Sequence, residues 1–318
     1  MTLLLAIKGA GDNWGIEAWH KRFTERLPGR RIVTADDPNL PRDAIRYAAV
    51  WKPTPGLLAS LPNLEVIFNL GAGADALLGD PTTPQVPIVR VVSTDLTKRM
   101  TEYVVMHVLM HHRRQRMLDA AQVAGQWKAT EQWAAGAVRV GILGLGELGR
   151  DAAEVLLRIG FQVSGWSRSA RDVPGVTCYN GADGLAPFLA RTDILVVLLP
   201  LTPDTRGLLN RDLFSKLARD GVLGAPVLIN AGRGGLQNER DIIGCLDDGT
   251  LGAATLDVFE TEPLPAGHAL WTHPRVTVTP HNSADSDASA IGDYVVAQIL
   301  AHERGEPLHN VIDRAKGY

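Results

Sequence analysis

The chain has 318 residues, a formal net charge of -3, 45% hydrophobic residues and 21% charged residues. This length exceeds what one hydrophobic core usually organises, so we expect two domains. The small negative charge makes nucleic acid and anionic membranes unsuitable partners, and a small molecule is the expected ligand.

Two cysteines, Cys178 and Cys245, lie far apart and outside any CxxC pair. We therefore expect no metal site and no disulfide framework, and a reducing, cytoplasmic environment. The apolar run from Leu3 to Ile7 is too short to span a membrane. It also lacks the basic leader and small-residue cleavage site of a signal peptide, so it predicts a buried first strand.

Short apolar runs alternate with helical stretches over the first hundred residues, and prolines separate many of them. This alternation is typical of βα units, so residues 1–99 are predicted to form one small domain with a parallel sheet. The predicted strands are Leu3 to Ile7, Arg31 to Thr34, Ala48 to Trp51, Val66 to Leu70 and Ile88 to Val92.

A helical pattern follows from Met100 to Leu118, and its long apolar run indicates burial on more than one face. The next segment, Ala121 to Gly136, carries Trp127 and Trp133 among polar residues. Two exposed tryptophans would suit a subunit interface, and local packing within one subunit is the alternative.

A second alternating series predicts a larger parallel sheet in a domain of residues 100–284. The stretch from Ser286 to His302 is predicted to be a final helix that packs on the first domain, to which residues 285–318 would belong. The predicted strands of the second sheet are Val138 to Leu143, Phe161 to Trp166, Ile194 to Leu199, Val227 to Asn230, Gly252 to Leu256 and Val276 to Thr279.

The run Gly144-Leu145-Gly146-Glu147-Leu148-Gly149 matches the GxGxxG fingerprint of dinucleotide-binding loops. Alone, such a pattern also occurs by chance in ordinary turns, but here a strand pattern precedes it and a helix pattern follows it directly. Gly144 permits the tight turn, Gly146 lets the backbone approach a pyrophosphate, and Gly149 lets the helix pack on the strand. We therefore predict that this loop binds a dinucleotide at the helix N-terminus.

The residues after the next strand, Ser167-Arg168-Ser169, indicate which dinucleotide binds. Enzymes that use NAD usually carry an acidic residue there, which would repel a 2′-phosphate. A serine hydroxyl and an arginine would bind that phosphate, although Arg168 could instead stack on adenine or lie in solvent. We expect NADP(H) as the preferred cofactor and NAD(H) as the alternative.

Arg233 and His281 each follow a predicted strand of the second sheet. Ligands of doubly wound sheets bind at the carboxyl ends of the strands, so both side chains can reach one cleft. An arginine can grip a carboxylate through two hydrogen bonds, and a histidine can donate a proton near neutral pH. These are the groups that reduction of a 2-oxo acid requires; a surface salt bridge and a packing histidine are the alternatives.

Together these motifs resemble the D-isomer-specific 2-hydroxyacid dehydrogenase family, and within it the glyoxylate/hydroxypyruvate reductase A group. The resemblance covers nearly the whole chain. The matching segments are Val50-Trp51-Lys52-Pro53, Leu70-Gly71-Ala72-Gly73-Ala74-Asp75, Gly141 to Gly144, Gly165-Trp166-Ser167-Arg168, Leu198-Leu199-Pro200, Asn230 to Gly234, Leu256 to Phe259, Glu262 to Pro265, Pro274 to His281 and the tail Asp313 to Tyr318.

The resemblance implies an α/β fold with a Rossmann dinucleotide-binding domain and a smaller flavodoxin-like substrate domain, each with a doubly wound parallel sheet. It implies that Arg233 binds the carboxylate and carbonyl of the substrate, and that His281 is the acid that protonates the carbonyl oxygen. Glu262, rather than its neighbour Glu260, is implied to hydrogen-bond the histidine and favour its protonated form.

Further contacts follow from the same resemblance. Gly71, Ala72 and Gly73 would hold the substrate carboxylate through backbone N–H groups, with an ordinary turn as the alternative. Trp51 would line the substrate pocket, with a core tryptophan as the alternative. The expected cofactor contacts are Leu199, Pro200, Ala231, Gly232, Asp257 and His281, where Asp257 would hold the nicotinamide carboxamide or only cap local structure.

The resemblance also implies a homodimer. Two departures from the family pattern, Gly235-Leu236-Gln237 and Asn282-Ser283, put fine substrate preference in doubt. Competing hypotheses are a dehydrogenase for another or bulkier 2-oxo acid, and a dinucleotide-sensing binding protein of corepressor type. A formate dehydrogenase is disfavoured because it would carry glutamine in place of Glu262.

Overall fold

The computed structural model describes residues 1–8, 14–71, 73–91, 94–284 and 287–314. The chain divides into two compact units, one of Met1–Leu96 with Ser286–Tyr318 and the other of Thr97–Asp285. The strands in chain order are β1 (Thr2–Ile7), β2 (Arg31–Thr34), β3 (Ile45–Trp51), β4 (Val66–Asn69), β5 (Ile88–Arg90), β6 (Arg139–Leu143), β7 (Gln162–Ser167), β8 (Thr177–Asn180), β9 (Ile194–Val197), β10 (Val227–Asn230), β11 (Ala253–Leu256) and β12 (Val276–Val278).

The α-helices alternate with these strands through most of the chain. In chain order they are α1 (Ile16–Arg26), α2 (Asp75–Leu78), α3 (Thr94–His112), α4 (Gln115–Val123), α5 (Glu147–Ile159), α6 (Gly181–Leu189), α7 (Arg211–Ser215), α8 (Glu239–Asp247) and α9 (Ala288–Glu303). Among the described residues, no helix is long and apolar enough to cross a membrane.

The first unit is built on a parallel sheet of order β2-β1-β3-β4-β5. This is the strand order of flavodoxin-like folds. The core strands are buried on both faces, as parallel sheets require. Helix α9 packs beside α1, where Arg26 contacts Ser289 at 2.6 Å and Asp293 at 2.5 Å.

The second unit is built on a parallel sheet of order β12-β11-β10-β9-β6-β7-β8. Counted from β6, the first six strands have the order 3-2-1-4-5-6 of the Rossmann fold. Strands β9 and β10 are fully buried at its centre. Helix α5 buries Ala152, Ala153 and Leu156 and ends at Ile159, where it is capped by Gly160 with a left-handed φ of 104°. The two sheet orders confirm the predicted fold class.

The helix predicted from Met100 to Leu118 is wrong in one respect, because two helices occupy this region. Helix α3 ends at His112, and Arg114 has a left-handed φ of 55° before α4 begins. In α3, Tyr103 and Val108 are buried, whereas Met106 is 50% exposed. The apolar run therefore has one partly exposed side.

Candidate active site

The loop between β6 and α5 has the geometry of a phosphate-binding turn. Gly144 has a φ of 114°, and a Cβ atom there would lie 2.9 Å from the carbonyl oxygen of Leu198. A Cβ atom at Gly149 would lie 2.0 Å from the carbonyl oxygen of Gly144, so only glycine allows this approach of helix and loop. Nothing lies within 4 Å of the Cβ position at Gly146. The backbone before α5 is therefore open to a ligand, where the first helical N–H groups have no intrahelical acceptor.

Two further loops lie beside the glycine loop because β6, β9 and β10 are neighbours in the sheet. Leu199 and Pro200 follow β9, and Ala231 and Gly232 follow β10. A Cβ atom at Gly232 would lie 2.9 Å from the carbonyl oxygen of Leu199, so these two loops touch. All three loops follow the carboxyl ends of strands in one sheet, where such folds bind nucleotides.

The predicted selectivity residues lie at the end of β7, the neighbour of β6 on its other side. The Ser167 hydroxyl donates to the carbonyl of Ser169 at 2.8 Å, which shapes the turn. Arg168 and Ser169 are exposed, and Glu147 and Leu148 form the first turn of α5. An exposed guanidinium at this position is accessible to a phosphate group on a ligand.

Arg233 stands on the loop after β10 and is partly buried. Its Nη1 donates to the carbonyl of Gly232 at 2.7 Å. The buried Asn230 side chain shapes this loop by accepting the Gly232 N–H at 3.0 Å and donating to the Arg233 carbonyl at 3.3 Å. A Cβ atom at Gly234 would lie 1.8 Å from the carbonyl oxygen of Phe259. The arginine loop therefore lies directly against the loop that follows β11.

A buried polar network ties these two loops together. The Gln237 amide donates to the Val258 carbonyl at 2.9 Å and accepts from Asn230 at 2.8 Å. Glu239 accepts the backbone N–H of Glu260 at 2.8 Å, and Glu260 accepts that of Glu239 at 3.1 Å. The Glu260 carboxylate is thus engaged in holding the backbone. Sequence reasoning noted Gln237 as a departure from the family pattern but did not predict this role.

Glu262 and His281 form a hydrogen-bonded pair. The Nδ1 atom of His281 lies 2.8 Å from Oε2 of Glu262, and the other carboxylate oxygen accepts the backbone N–H of Phe259 at 3.2 Å. A carboxylate accepts hydrogen bonds, so Nδ1 is the donor and Nε2 is the ring nitrogen directed away from the glutamate. The side chain of His281 is 35% exposed and that of Glu262 is 25% exposed, so the pair is accessible to small molecules.

Asp257 holds the loop that carries His281. Its carboxylate is fully buried and accepts the Thr279 hydroxyl at 2.6 Å and the backbone N–H groups of Asn282 and Ser283 at 3.0 and 3.1 Å. These bonds bracket His281, whose φ of 52° is left-handed and uncommon for a residue with a side chain. The loop is therefore fixed from both sides in a conformation that costs energy.

Helix α3 continues this network. The Tyr103 hydroxyl lies 2.8 Å from Oγ1 of Thr279, and it donates because the Thr279 hydrogen is given to Asp257. Burial raises the pKa of Tyr103, so the hydroxyl keeps its proton. Neither Tyr103 nor Thr279 was expected to support the site, since their separation of 176 positions leaves no local sequence signal.

The remaining predicted site residues lie in the first unit. Asn69, at the end of β4, donates its side-chain amide to the carbonyls of Gly71 and Gly73 at 2.7 and 3.0 Å. Trp51 is partly buried at the end of β3, and a Cβ atom at Gly71 would lie 1.8 Å from its Cζ3 atom. Ala72 lies outside the described residues.

The structure thus brings Glu262 and His281 into contact and places Arg233 on the adjoining loop. In the part of the chain with described coordinates, no cluster of three or more His, Cys, Asp or Glu residues could hold a metal ion. The site chemistry is that of one acid-base pair and one guanidinium at the carboxyl edge of a dinucleotide-binding sheet.

The family model of the D-isomer specific 2-hydroxyacid dehydrogenases, NAD binding domain, matches residues 105–283. The chain belongs to this family, and the predicted class of NAD(P)-dependent dehydrogenase is confirmed.

The glyoxylate/hydroxypyruvate reductase A of Serratia proteamaculans is 40% identical over 308 residues, covering 95% of this chain and 96% of that protein. The NADPH-dependent glyoxylate/hydroxypyruvate reductase of Sinorhizobium meliloti, solved with NADP and sulfate, is 47% identical with a TM-score of 0.92, covering 100% of this chain and 99% of that one. A probable 2-hydroxyacid dehydrogenase of Rhizobium etli, solved with NADP, HEPES and L(+)-tartaric acid, is 45% identical with a TM-score of 0.93 and the same coverage.

Proposed function

We propose that this chain reduces small 2-oxo acids, glyoxylate and hydroxypyruvate among them, to D-2-hydroxy acids with NADPH. The observation that carries the proposal is the Glu262–His281 pair, with its 2.8 Å hydrogen bond, beside the Arg233 loop. The names of the relatives, at 40% and 47% identity over nearly the full chain, support the same substrates and cofactor.

The residues present fit a dinucleotide with a 2′-phosphate. The unobstructed backbone at Gly146 and the N-terminus of α5 would hold the pyrophosphate. Arg168, with Ser167 and Ser169, would bind the 2′-phosphate, where an acidic residue would be repelled by it. When bound, NADPH supplies a hydride to the carbonyl carbon of the substrate.

Arg233, Glu262 and His281 would each have a separate role in the reaction. The guanidinium binds the substrate carboxylate and polarises the carbonyl oxygen, on which negative charge develops. His281 donates a proton to that oxygen from Nε2, which completes the hydroxyl group. Glu262 accepts the Nδ1 hydrogen, which fixes the ring orientation and stabilises the imidazolium before transfer.

Trp51 and the backbone N–H groups of Gly71, Ala72 and Gly73 are proposed to contact the substrate. The Asn69 amide, which donates to the carbonyls of Gly71 and Gly73, supports a fixed backbone at these two glycines. Of the two roles expected for Asp257, contact with the nicotinamide carboxamide and capping of local structure, its full burial and its three bonds to the His281 loop support the second.

A cytoplasmic homodimer is the proposed assembly. Trp127 is fully exposed, Val123 is 91% exposed and Met106 is 50% exposed, and such apolar surface favours a protein interface. Cys178 and Cys245 are both unpaired, which suits a reducing compartment. Light scattering coupled to gel filtration should give twice the chain mass, and Trp127→Asp should lower it; a monomeric unaltered protein would contradict the assembly.

The proposed function is tested by following NADPH and NADH oxidation across a panel of 2-oxo acids. We expect turnover of glyoxylate and hydroxypyruvate, with a higher kcat/KM for NADPH than for NADH. Chiral analysis of the product from hydroxypyruvate should show the D isomer; glyoxylate is uninformative here because its product is achiral. NADPH binding without turnover of any 2-oxo acid would favour a dinucleotide-sensing protein instead.

A further inference from the structure

We propose that Trp14 is a positioning residue that sets the size limit for the substrate side chain, by holding the Trp51 ring over the Gly71 turn. The inference rests on the proposed function and adds to it the cause of selectivity among 2-oxo acids. It concerns four residues of the first unit, Trp14, Trp51, Lys52 and Gly71.

The Trp51 ring covers the turn at Gly71. A Cβ atom at Gly71 would lie 1.8, 2.6 and 2.7 Å from Cζ3, Cη2 and Cε3 of Trp51, so the six-membered ring occupies the space of a side chain. Trp51 lies outside the buried core clusters and is only partly buried. A large ring that is neither in the core nor free in solvent is suited to forming the wall of a small pocket.

Trp14 connects this wall to the core. Its ring centroid lies 5.9 Å from that of Trp51 and 5.4 Å from that of Trp19, in edge-to-face geometry with the latter. Trp19 is fully buried and stacks on Phe23 at 5.7 Å. Aromatic pairs at these distances attract each other. The position of Trp51 is thus set by a continuous row of rings that ends in the core.

Lys52, the residue that follows Trp51, contacts the same ring. Its Nζ lies 5.7 Å from the Trp51 ring centroid, within the range of a cation–π contact, and its φ of 49° is left-handed. A left-handed residue that is not glycine is kept only where the surroundings determine it. The backbone next to Trp51 is therefore held in one conformation. Substitution of Trp14 removes one of the contacts to the Trp51 ring and leaves this backbone unchanged.

The consequence for substrate choice follows from the place of the ring. With the substrate carboxylate bound at the Gly71 turn, as proposed above, the Trp51 ring would lie beside the second group on the carbonyl carbon of the substrate. This group is hydrogen in glyoxylate and hydroxymethyl in hydroxypyruvate. A larger group requires Trp51 to move. Removal of the Trp14 ring gives Trp51 space to retreat and should admit bulkier acids.

The test compares kcat/KM for glyoxylate with that for phenylpyruvate, using NADPH, in the unaltered protein and in Trp14→Leu. The ratio of glyoxylate to phenylpyruvate should fall at least about tenfold, the scale at which pocket size discriminates. Trp14→Phe, which keeps a ring, should restore most of the ratio. In a Trp51→Leu background, Trp14→Leu should change the ratio no further, since Trp14 acts through Trp51.

Phe23→Leu is the matched control because Phe23 belongs to the same row of rings without touching Trp51. It should lower the melting temperature and leave the ratio within about twofold of the unaltered protein. Should Trp14→Leu fail to fold, Trp14→Phe and Trp14→His provide the graded series. An unchanged ratio in Trp14→Leu, or in Trp14→His where Trp14→Leu does not fold, beside an active unaltered protein overturns this inference alone. An inactive unaltered protein overturns the proposed function and this inference with it.

Discussion

The carboxylate of Glu262 lies 2.8 Å from the imidazole of His281, while the neighbouring Glu260 binds the backbone of Glu239. Two acids separated by one residue thus have different tasks. Of these two acids, Glu262 is the one whose carboxylate contacts the imidazole of His281.

Glu262→Gln keeps an oxygen that can accept the Nδ1 hydrogen of His281 but removes the negative charge. We expect kcat for hydroxypyruvate to fall by about tenfold to a hundredfold, because the protonated imidazole loses its counter-charge. The matched control is Glu260→Gln, whose amide oxygen can still accept the Glu239 N–H, and its kcat should stay within about twofold. Equal losses of kcat in the two variants would contradict a specific role of Glu262.

Asp257→Asn disturbs the support of the His281 loop. The carboxylate accepts three hydrogen bonds, so an amide nitrogen in its place would face a donor group. The free energy of unfolding should fall by about 1–3 kcal/mol, the cost of an unsatisfied buried group, and kcat should fall with it. Asp212→Asn, at a carboxylate whose side chain is 76% exposed, should change unfolding by less than about 0.5 kcal/mol. If Asp257→Asn left both the free energy of unfolding and kcat unchanged, the carboxylate would not be what fixes this loop.

Arg168→Ala tests the basis of the cofactor preference. The exposed guanidinium is proposed to make a charge-assisted contact with the 2′-phosphate, so its loss should lower kcat/KM for NADPH by about tenfold to a hundredfold. The value for NADH should change little, because that cofactor has no phosphate at this position. Parallel losses with both cofactors would mean that Arg168 contacts a part they share, such as adenine.

We expect the free energy of unfolding to depend on pH through three histidines of α3. Burial lowers the pKa of His107, His111 and His112, so the folded state disfavours their protonation. As the pH falls through about 6.5, the ordinary pKa of histidine, the unfolded chain binds more protons than the folded chain does. The free energy of unfolding therefore decreases over this range.

His107→Gln should reduce this dependence, because His107 is only 1% exposed. The measurement is urea unfolding at pH 7.5 and pH 5, with the difference in free energy compared between the two proteins. A difference as large in His107→Gln as in the unaltered chain would exclude His107 as its source.

Much of the fold could be predicted because buried parallel strands leave clear apolar runs. The predicted strand from Val227 to Asn230 coincides with β10. Strand β8, Thr177–Asn180, was not predicted, since it lies at the sheet edge and has no buried residue. The break at Arg114 was also missed, because neither glycine nor proline marks its left-handed backbone.

The candidate site could likewise be predicted only in part. The positions of Arg233 and His281 at the carboxyl edge of the sheet could be predicted because each follows a strand. The support of the His281 loop by Asp257 and Tyr103 could not be predicted, since those contacts join residues 22 and more positions apart. The contact of Trp14 with Trp51 likewise depends on how β3 and the start of α1 pack, which no local pattern records.

The most direct test of the account is NADPH oxidation with hydroxypyruvate by the unaltered protein and by His281→Asn. Asparagine tolerates the left-handed backbone at this position, where φ is 52°, so the loop should survive the substitution. We expect D-specific reduction by the unaltered protein, a loss of at least about a hundredfold in kcat for His281→Asn, and equal NADPH binding by both. Turnover by His281→Asn at the rate of the unaltered protein would contradict the account.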